Sequence, residues 1–303
     1  MTPLLVIVGG PTASGKTALA IQLAQHFNTV IISADSRQFY KELTIGTAKP
    51  SVSELSAVTH YFINSNSITE PVNAGNFGIE VNELLKKLFS THQVVILAGG
   101  SGLFIDAVIN GIDDLPAASD EIRKQLNSDY INNGIESLQQ QLKKLDPDGY
   151  TLVDINNPRR LTRALEITLS TGIPYSALIG KKNNESGYRW LMTGIDWPRE
   201  LLYERINIRT IEMIKNGLVK EVSSLSQYRN LNALSTVGYK EIFEYLDGNI
   251  TLEEATEKIA RHTRNYAKRQ LTWFRRYEEM IWIKDGEEQK LIKMIEEKIK
   301  EKS

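Results

Sequence analysis

The sequence contains no cysteine. Disulfides, thiolate zinc sites and cysteine nucleophiles are therefore excluded. Its four histidines are scattered, which argues against a metal site built from histidine alone. No apolar run approaches the roughly 20 residues of a helical membrane span. Excess charge is missing as well: 36 Lys and Arg stand against 37 Asp and Glu, so any nucleic-acid surface has to be a local patch. Internal repeats and low-complexity tracts are absent. What is there is an ordinary globular composition, 41% hydrophobic and 24% charged, in 303 residues, enough for one large domain or two. The opening apolar run, residues 4–8, is short and leads straight into glycines, so no targeting signal is expected and a cytoplasmic location is.

"LLVIVGG" followed by "TALAIQLAQHF" reads as buried strand, loop and helix over residues 4–27. "TVIISAD" predicts a second buried strand ending at Asp35, and "HQVVILAGGSG" a third ending in glycines. Strands alternating with helical segments predict an α/β fold, a parallel sheet flanked by helices with ligands at the carboxyl ends of its strands, and the glycine-rich "GGPTASGKT" after the first strand makes it P-loop NTPase-like. Residues 113–188 lose the strand pattern and read as a helical insertion, through "SDEIRKQL", "IESLQQQLKKL" and "PRRLTRALEITL". "RWLMTGID" predicts a return to the sheet. The expected organisation is 1–112 as the first part of the core, 113–188 as the insertion, and 189–303 as core completion and nearly all helical from residue 199. The Lys- and Glu-rich tail from residue 284 reads as a solvated terminal helix.

Gly10-Pro11-Thr12-Ala13-Ser14-Gly15-Lys16-Thr17 meets the phosphate-loop template in full, between a predicted strand and a predicted helix. Lys16 is expected to neutralise phosphate charge, Thr17 to ligate Mg²⁺, and the helix N-terminus to add its dipole. The strand "VVILA" ends in Ala98, Gly99 and Gly100, with no acid placed to hold magnesium for ATP hydrolysis, so a switch GTPase or mechanoenzyme is disfavoured. Asp35 in "SADSRQFY" is an acid at a strand end facing the phosphate site. It suits a general base acting on a nucleophile held beside the phosphates, or a turn cap made with Ser36. Ser101 in "GGSGLF" follows two glycines, so its hydroxyl can approach a ligand closely; a bystander serine in a glycine turn has the same local pattern.

In "KIARHTRNYAKRQLTWFRRY", at 100° per residue, Arg261, Arg264, Lys268, Arg269, Arg275 and Arg276 fall within roughly 140° of helix surface, with no acid among them. Ile259, Tyr266, Phe274 and Tyr277 fall on the opposite side. One face docks and the other suits a phosphate backbone. Pro158 opens a second helix on which Arg159, Arg160 and Arg163 share a side, and two basic helices in separate regions suit a long polyanion.

Taken together, "GPTASGKTALA", "DSRQFY", "IGTAKP", "GGSGLF", "RRLTRALEI", "VGYKEI" and "TRNYAKRQLTWFR" resemble the bacterial tRNA dimethylallyltransferases in order and spacing, over nearly the whole chain. The resemblance implies transfer of a dimethylallyl group from dimethylallyl diphosphate to N6 of the adenosine just 3′ of the anticodon, with Mg²⁺, by a monomeric enzyme without a membrane partner. It implies that residues 12–17 hold the diphosphate, that Asp35 is the base, that Ser101 is the hydroxyl of the site and that Arg209, the second arginine of "RINIR", contacts the diphosphate. Ser36, Arg37, Gln38, Arg123, the 159–163 segment and the 268–275 segment align with tRNA-contacting positions. Thr44, Thr59, Ser101 and Phe104 depart from the family's usual residues. An isopentenyltransferase acting on free adenine nucleotides shares the loop and the base; it does not need two basic helices.

Overall fold

The computed structural model describes residues 2–113, 115–116, 119–180 and 187–301. The chain forms two compact units, Met1–Ile109 together with Glu185–Ser303, and Asn110–Asn184.

The first unit is built on six parallel strands, β1 (Leu4–Val8), β2 (Ile31–Ser33), β3 (His60–Tyr61), β4 (Val94–Ala98), β5 (Arg189–Ile195) and β6 (Ile281–Ile283), in the order β3-β2-β4-β1-β5-β6. Ala98 pairs with both Val8 and Ser33, so the three predicted strands end level with one another, while β5 runs on past Thr193, the partner of Val8, to Ile195. The phosphate loop, Asp35 and the 99–102 glycine turn therefore leave the sheet side by side.

Before the second unit come α1 (Lys16–His26), α2 (Val52–Ala57), α3 (Ala74–Leu88) and α4 (Gly102–Ile109). The second unit holds α5 (Asp120–Leu145), broken at Gly134, then α6 (Pro147–Leu152), α7 (Pro158–Thr171) and α8 (Tyr175–Leu178). After it come α9 (Arg199–Lys215), α10 (Leu218–Ser224), α11 (Tyr239–Leu246), α12 (Leu252–Phe274) and α13 (Glu288–Lys300).

β1 is buried on both faces, as its unbroken apolar run predicts. Leu5 and Ile7 join the core under α3 and α4, with Phe77, Val81, Ile105 and Phe274. Leu4, Val6 and Val8 join the opposite core, with Leu19 and Leu23 of α1. That second core also contains Leu291, Ile292 and Ile295 of α13, all nearly inaccessible. The expected solvated tail is thus a docked amphipathic helix, whose apolar stripe is masked in composition by the Lys and Glu of its other face. The largely helical stretch beyond residue 199 also contains one strand, β6, which forms a sheet edge. β3 and β6 are edge strands of two and three residues, too short to carry a readable alternation.

In the second unit, Leu126, Leu138 and Leu142 of α5 pack on Leu161, Ala164 and Leu165 of α7. Asp146 ties its shorter helices together by accepting from Gly149 N at 2.8 Å, Ser176 N at 2.8 Å and Ser176 Oγ at 2.6 Å.

Candidate active site

The phosphate loop is held from outside by its carbonyl groups. Trp197 Nε1 donates to Ser14 O at 2.9 Å and Arg205 Nε to Ala13 O at 2.8 Å, with the Arg205 guanidinium 4.5 Å over the Trp197 ring. Lys16 Nζ donates to Pro11 O at 2.6 Å, and Arg209 donates to Thr12 Oγ1 at 3.2 Å. Gly15 caps α1 at φ 92, a conformation that side chains resist, which turns the chain abruptly into the helix. The first helical bond runs from Leu19 N to Gly15 O, so the amides of Lys16, Thr17 and Ala18 precede the helical ladder and, among the described residues, are left for an anion. Ser14 Oγ is buried without a hydrogen-bond partner among the described residues.

Asp35 follows β2, whose pairing extends through Ala34 N to Ala98 O at 2.8 Å. One carboxylate oxygen, Oδ1, accepts from Arg37 N at 3.0 Å. The turn cap therefore exists, with Arg37 as partner, and it leaves Oδ2 without a protein donor among the described residues. Ser36 N donates to Ser101 Oγ at 3.0 Å, stitching the Asp35 turn to the glycine turn.

The electrostatics of Lys16, Asp35 and Arg209 are coupled. Burial pushes the Lys16 ammonium down to about 8, with Asp35 opposing the shift and Arg209 adding to it. Burial likewise lowers Arg209 from its usual range, against the fields of Asp35 and Glu212. Two desolvated cations against one acid leave the site electron-poor, a situation that an anionic ligand relieves.

Two residues of this site escaped the sequence reading, both on the docking side of α12. Gln270, 6% exposed, accepts from Thr12 N through Oε1 at 2.8 Å and donates from Nε2 to Gly100 O at 2.8 Å. One amide thus clamps the phosphate loop to the glycine turn. A Cβ at Gly100 would lie 2.2 Å from Gln270 Nε2, so a larger residue there would push the amide out of the clamp. Tyr266 is half-buried within reach of Ser101 and the field of Asp35, and burial pushes its phenol up to about 12. The available signal was positional: Gln270 falls 180° from Arg261, a polar amide on the face expected to dock.

Of the cationic face, Arg261, Lys268, Arg269 and Arg275 are exposed. Arg264 is half-buried and donates to Asn207 Oδ1 at 2.7 Å. Arg276 stacks 3.9 Å over the Trp273 ring and pairs with Asp106 at 3.4 Å. Arg37 donates to Asn232 O at 3.1 Å. Gln38 is occupied by the fold: Nε2 donates to Thr47 O and Ala48 O, both at 3.3 Å, and Oε1 accepts from Ser33 Oγ at 3.4 Å. It braces the "TIGTAKP" loop. Lys49 of that loop donates to Tyr40 O and, at 2.6 Å, to Asn64 Oδ1, and Glu221 accepts from the amides of Thr44, Ile45 and Gly46. Within the second unit, Arg159 and Arg160 are exposed on the first turn of α7, while Arg123 and Arg163 pair with Glu166.

A parallel sheet with a Gly-Lys-Thr loop at the end of its central β1, flanked by helices and interrupted by a helical unit, places the protein in the P-loop α/β class. Residues 38–277 match the family described as IPP transferase. The chain is 47% identical over 300 residues to the tRNA dimethylallyltransferase of Christiangramia forsetii, covering 99% of each chain. It is 46% identical over 297 residues to that of Cytophaga hutchinsonii, with 98% of each covered. Among solved structures it resembles the tRNA isopentenylpyrophosphate transferase of Bacillus halodurans, with a TM-score of 0.73 and 34% identity over 99% of this chain and 97% of that one. It also resembles a eukaryotic dimethylallyltransferase acting on tRNA, with a TM-score of 0.74 and 27% identity over 90% of this chain and 70% of that one. The chain belongs to the IPP transferase family, and it is a transferase. Among the described residues no helix is long and apolar enough to cross a membrane.

Proposed function

We propose that this protein transfers the dimethylallyl group of dimethylallyl diphosphate to N6 of the adenosine immediately 3′ of the anticodon in tRNA. The observation that carries this reading is the meeting of Lys16 and Arg209, two desolvated cations, with Asp35 at one sheet edge. The names of its relatives specify the same substrate class.

In this reading the amides of α1's first turn, Lys16 and Arg209 bind the diphosphate. The adenine N6 forms a bond to the allylic carbon while the carbon–oxygen bond breaks, and the diphosphate departs with the electron pair. N6 loses its proton to the free oxygen of Asp35. The amine is a weak nucleophile, so alignment matters as much as basicity, and the clamped loops supply it. Extrusion of the adenosine from its stack is required for this contact, and exclusion of water protects the allylic carbon. Arg261, Lys268, Arg269 and Arg275 then serve the RNA backbone, as do Arg159 and Arg160 in the second unit.

Magnesium suits these residues as an ion shared with the substrate. Among the described residues no three His, Asp or Glu side chains are grouped to hold a metal, while the loop offers the Thr17 hydroxyl and the unpartnered Ser14 hydroxyl. When bound, the ion neutralises diphosphate charge. The enzyme on this reading works as a monomer in the cytoplasm.

The test incubates the protein with tRNA, Mg²⁺ and either dimethylallyl diphosphate or ATP and follows the RNA by mass. A five-carbon gain on adenosine with the first donor, and no ATP consumption, is expected. Transfer to AMP in preference to tRNA would assign the free-nucleotide reaction instead, and stoichiometric ATP turnover would remove the prenyl-transfer reading.

A further inference from the structure

Glu166 is 4% exposed on α7, where burying a carboxylate is costly unless it is well paired. Its partners are two arginines. Arg123 of α5 approaches it with both Nε, at 2.7 Å, and NH2, at 3.4 Å. Arg163 of α7 approaches Glu166 Oε2, the oxygen that Arg123 NH2 also approaches, with NH1 at 3.5 Å, and the Arg163 NH2 donates to Pro116 O at 3.4 Å. Asp120 adds a looser contact to Arg123 NH1 at 3.5 Å. The guanidinium groups are partly exposed, with side chains 47% and 39% accessible, while the acid beneath them is closed off.

We propose that Glu166 is a positioning residue for RNA, a buried carboxylate that holds the partly exposed guanidinium groups of Arg123 and Arg163 as one preset pair, with the N–H groups it does not engage left for RNA phosphate. The inference rests on the tRNA reading above and adds to it the group that aims the arginines. An acid beneath a polyanion-binding face has the wrong sign for attraction, so its contribution has to be geometric. A free arginine has rotamer entropy that is lost on gripping a phosphate, and two side chains already fixed by a common carboxylate lose less of it on binding. The arrangement also links α5 to α7, so the pair has a fixed spacing that two independent surface arginines lack.

The sign of one mutational effect decides the matter. Glu166→Gln removes a negative charge and leaves a similar volume. If the acid acts only through its charge, the variant binds tRNA more tightly and its salt slope steepens by up to about one unit. If the acid aims the arginines, affinity falls despite the gain in positive charge, by about tenfold, and the KM for tRNA rises while kcat at saturating tRNA stays within about twofold. Binding is measured by titration of the full chain with tRNA across a salt series, beside a thermal melt. Arg123→Lys is the second variant. It keeps the charge and loses the Nε–NH2 fork that fixes the side chain on Glu166, so it is expected to weaken tRNA binding by a similar factor at temperatures below the melt, whose midpoint falls as the buried acid loses a well-placed partner. Tighter or unchanged tRNA binding in Glu166→Gln overturns the proposal; should that variant fail to fold, wild-type affinity in Arg123→Lys overturns it. Wild-type protein that neither binds tRNA in a salt-dependent way nor adds a five-carbon unit would instead bring down the tRNA reading itself.

Discussion

Replacing Gln270 by Met tests whether the clamp between the phosphate loop and the glycine turn sets the rate. The two side chains are similar in volume, so packing against α12's neighbours is retained while both 2.8 Å hydrogen bonds disappear. Thr12 N–H and Gly100 C=O are then left unpaired around a residue that is 6% exposed. Each such group costs about 1–3 kcal/mol, so the loss is roughly 2–6 kcal/mol if no water enters, shared between global stability and local loosening of the loop. A loop displaced by about 1 Å costs on the order of 100-fold in turnover. We therefore expect Gln270→Met to lower kcat by about that factor and to weaken pyrophosphate binding, with tRNA affinity nearly unchanged because the cationic face lies on the other side of the helix. Gln270→Glu supplies a signature that general destabilisation cannot. Its carboxylate accepts from Thr12 N–H but faces Gly100 O without a hydrogen, so only the protonated form rebuilds both bonds, and activity relative to wild type should rise on acidification. Steady-state kinetics with tRNA and dimethylallyl diphosphate, and calorimetry with pyrophosphate, read these effects. Turnover of the Met variant within about twofold of wild type, with unchanged pyrophosphate affinity, would refute the reasoning.

Asp35→Asn keeps the oxygen that accepts from Arg37 N and removes the base, so turnover should fall by about two to four orders of magnitude with tRNA binding intact; a small effect on turnover excludes Asp35 as the proton acceptor. Lys16, held near 8 in the free protein, should lose its charge as pH rises through that value, and pyrophosphate affinity measured by calorimetry should begin to decline there rather than near 10.5. The same shift has a stability counterpart: between about 8 and 10.5 the unfolded chain binds a proton that the folded one has released, so this group's contribution to folding stability rises with pH across that window, as denaturant titrations of the ligand-free protein can measure. Lys268→Ala removes an exposed cation from α12 and should reduce the salt slope of tRNA binding by about 0.9 for each phosphate that Lys268 neutralises; an unchanged slope means that the side chain is simply solvated.

Much of this protein was legible from residue order alone. The short apolar runs at residues 4–8 and 94–98, each ending in glycines, read as strands covered on both faces, and the glycines and Lys16 between strand and helix read as a phosphate loop. The opposed faces of α12 followed from a 3.6-residue period, and Asp35 at a strand end followed from where an apolar run stops. These are local properties, set by backbone sterics and by the side of an element on which a residue falls. Tertiary structure decided which partner each polar group took. Gln270 reaches Thr12 across 258 positions of sequence, and no period or motif connects the two. Gln38, which lies in a segment aligned with RNA contacts, also donates to the carbonyls of Thr47 and Ala48 because that loop folds back over it. The Lys- and Glu-rich last helix is docked because three apolar residues on one side find an open sheet face, and β6 is a strand because β5 offers it an edge. Glu166 looks in sequence like any acid on a basic helix, and only the packing of α7 against α5 brings Arg123 over it. Hydrogen bonds and ion pairs between distant segments depend on which surfaces meet, and that follows from the burial of all the apolar stripes together rather than from any one stretch of chain.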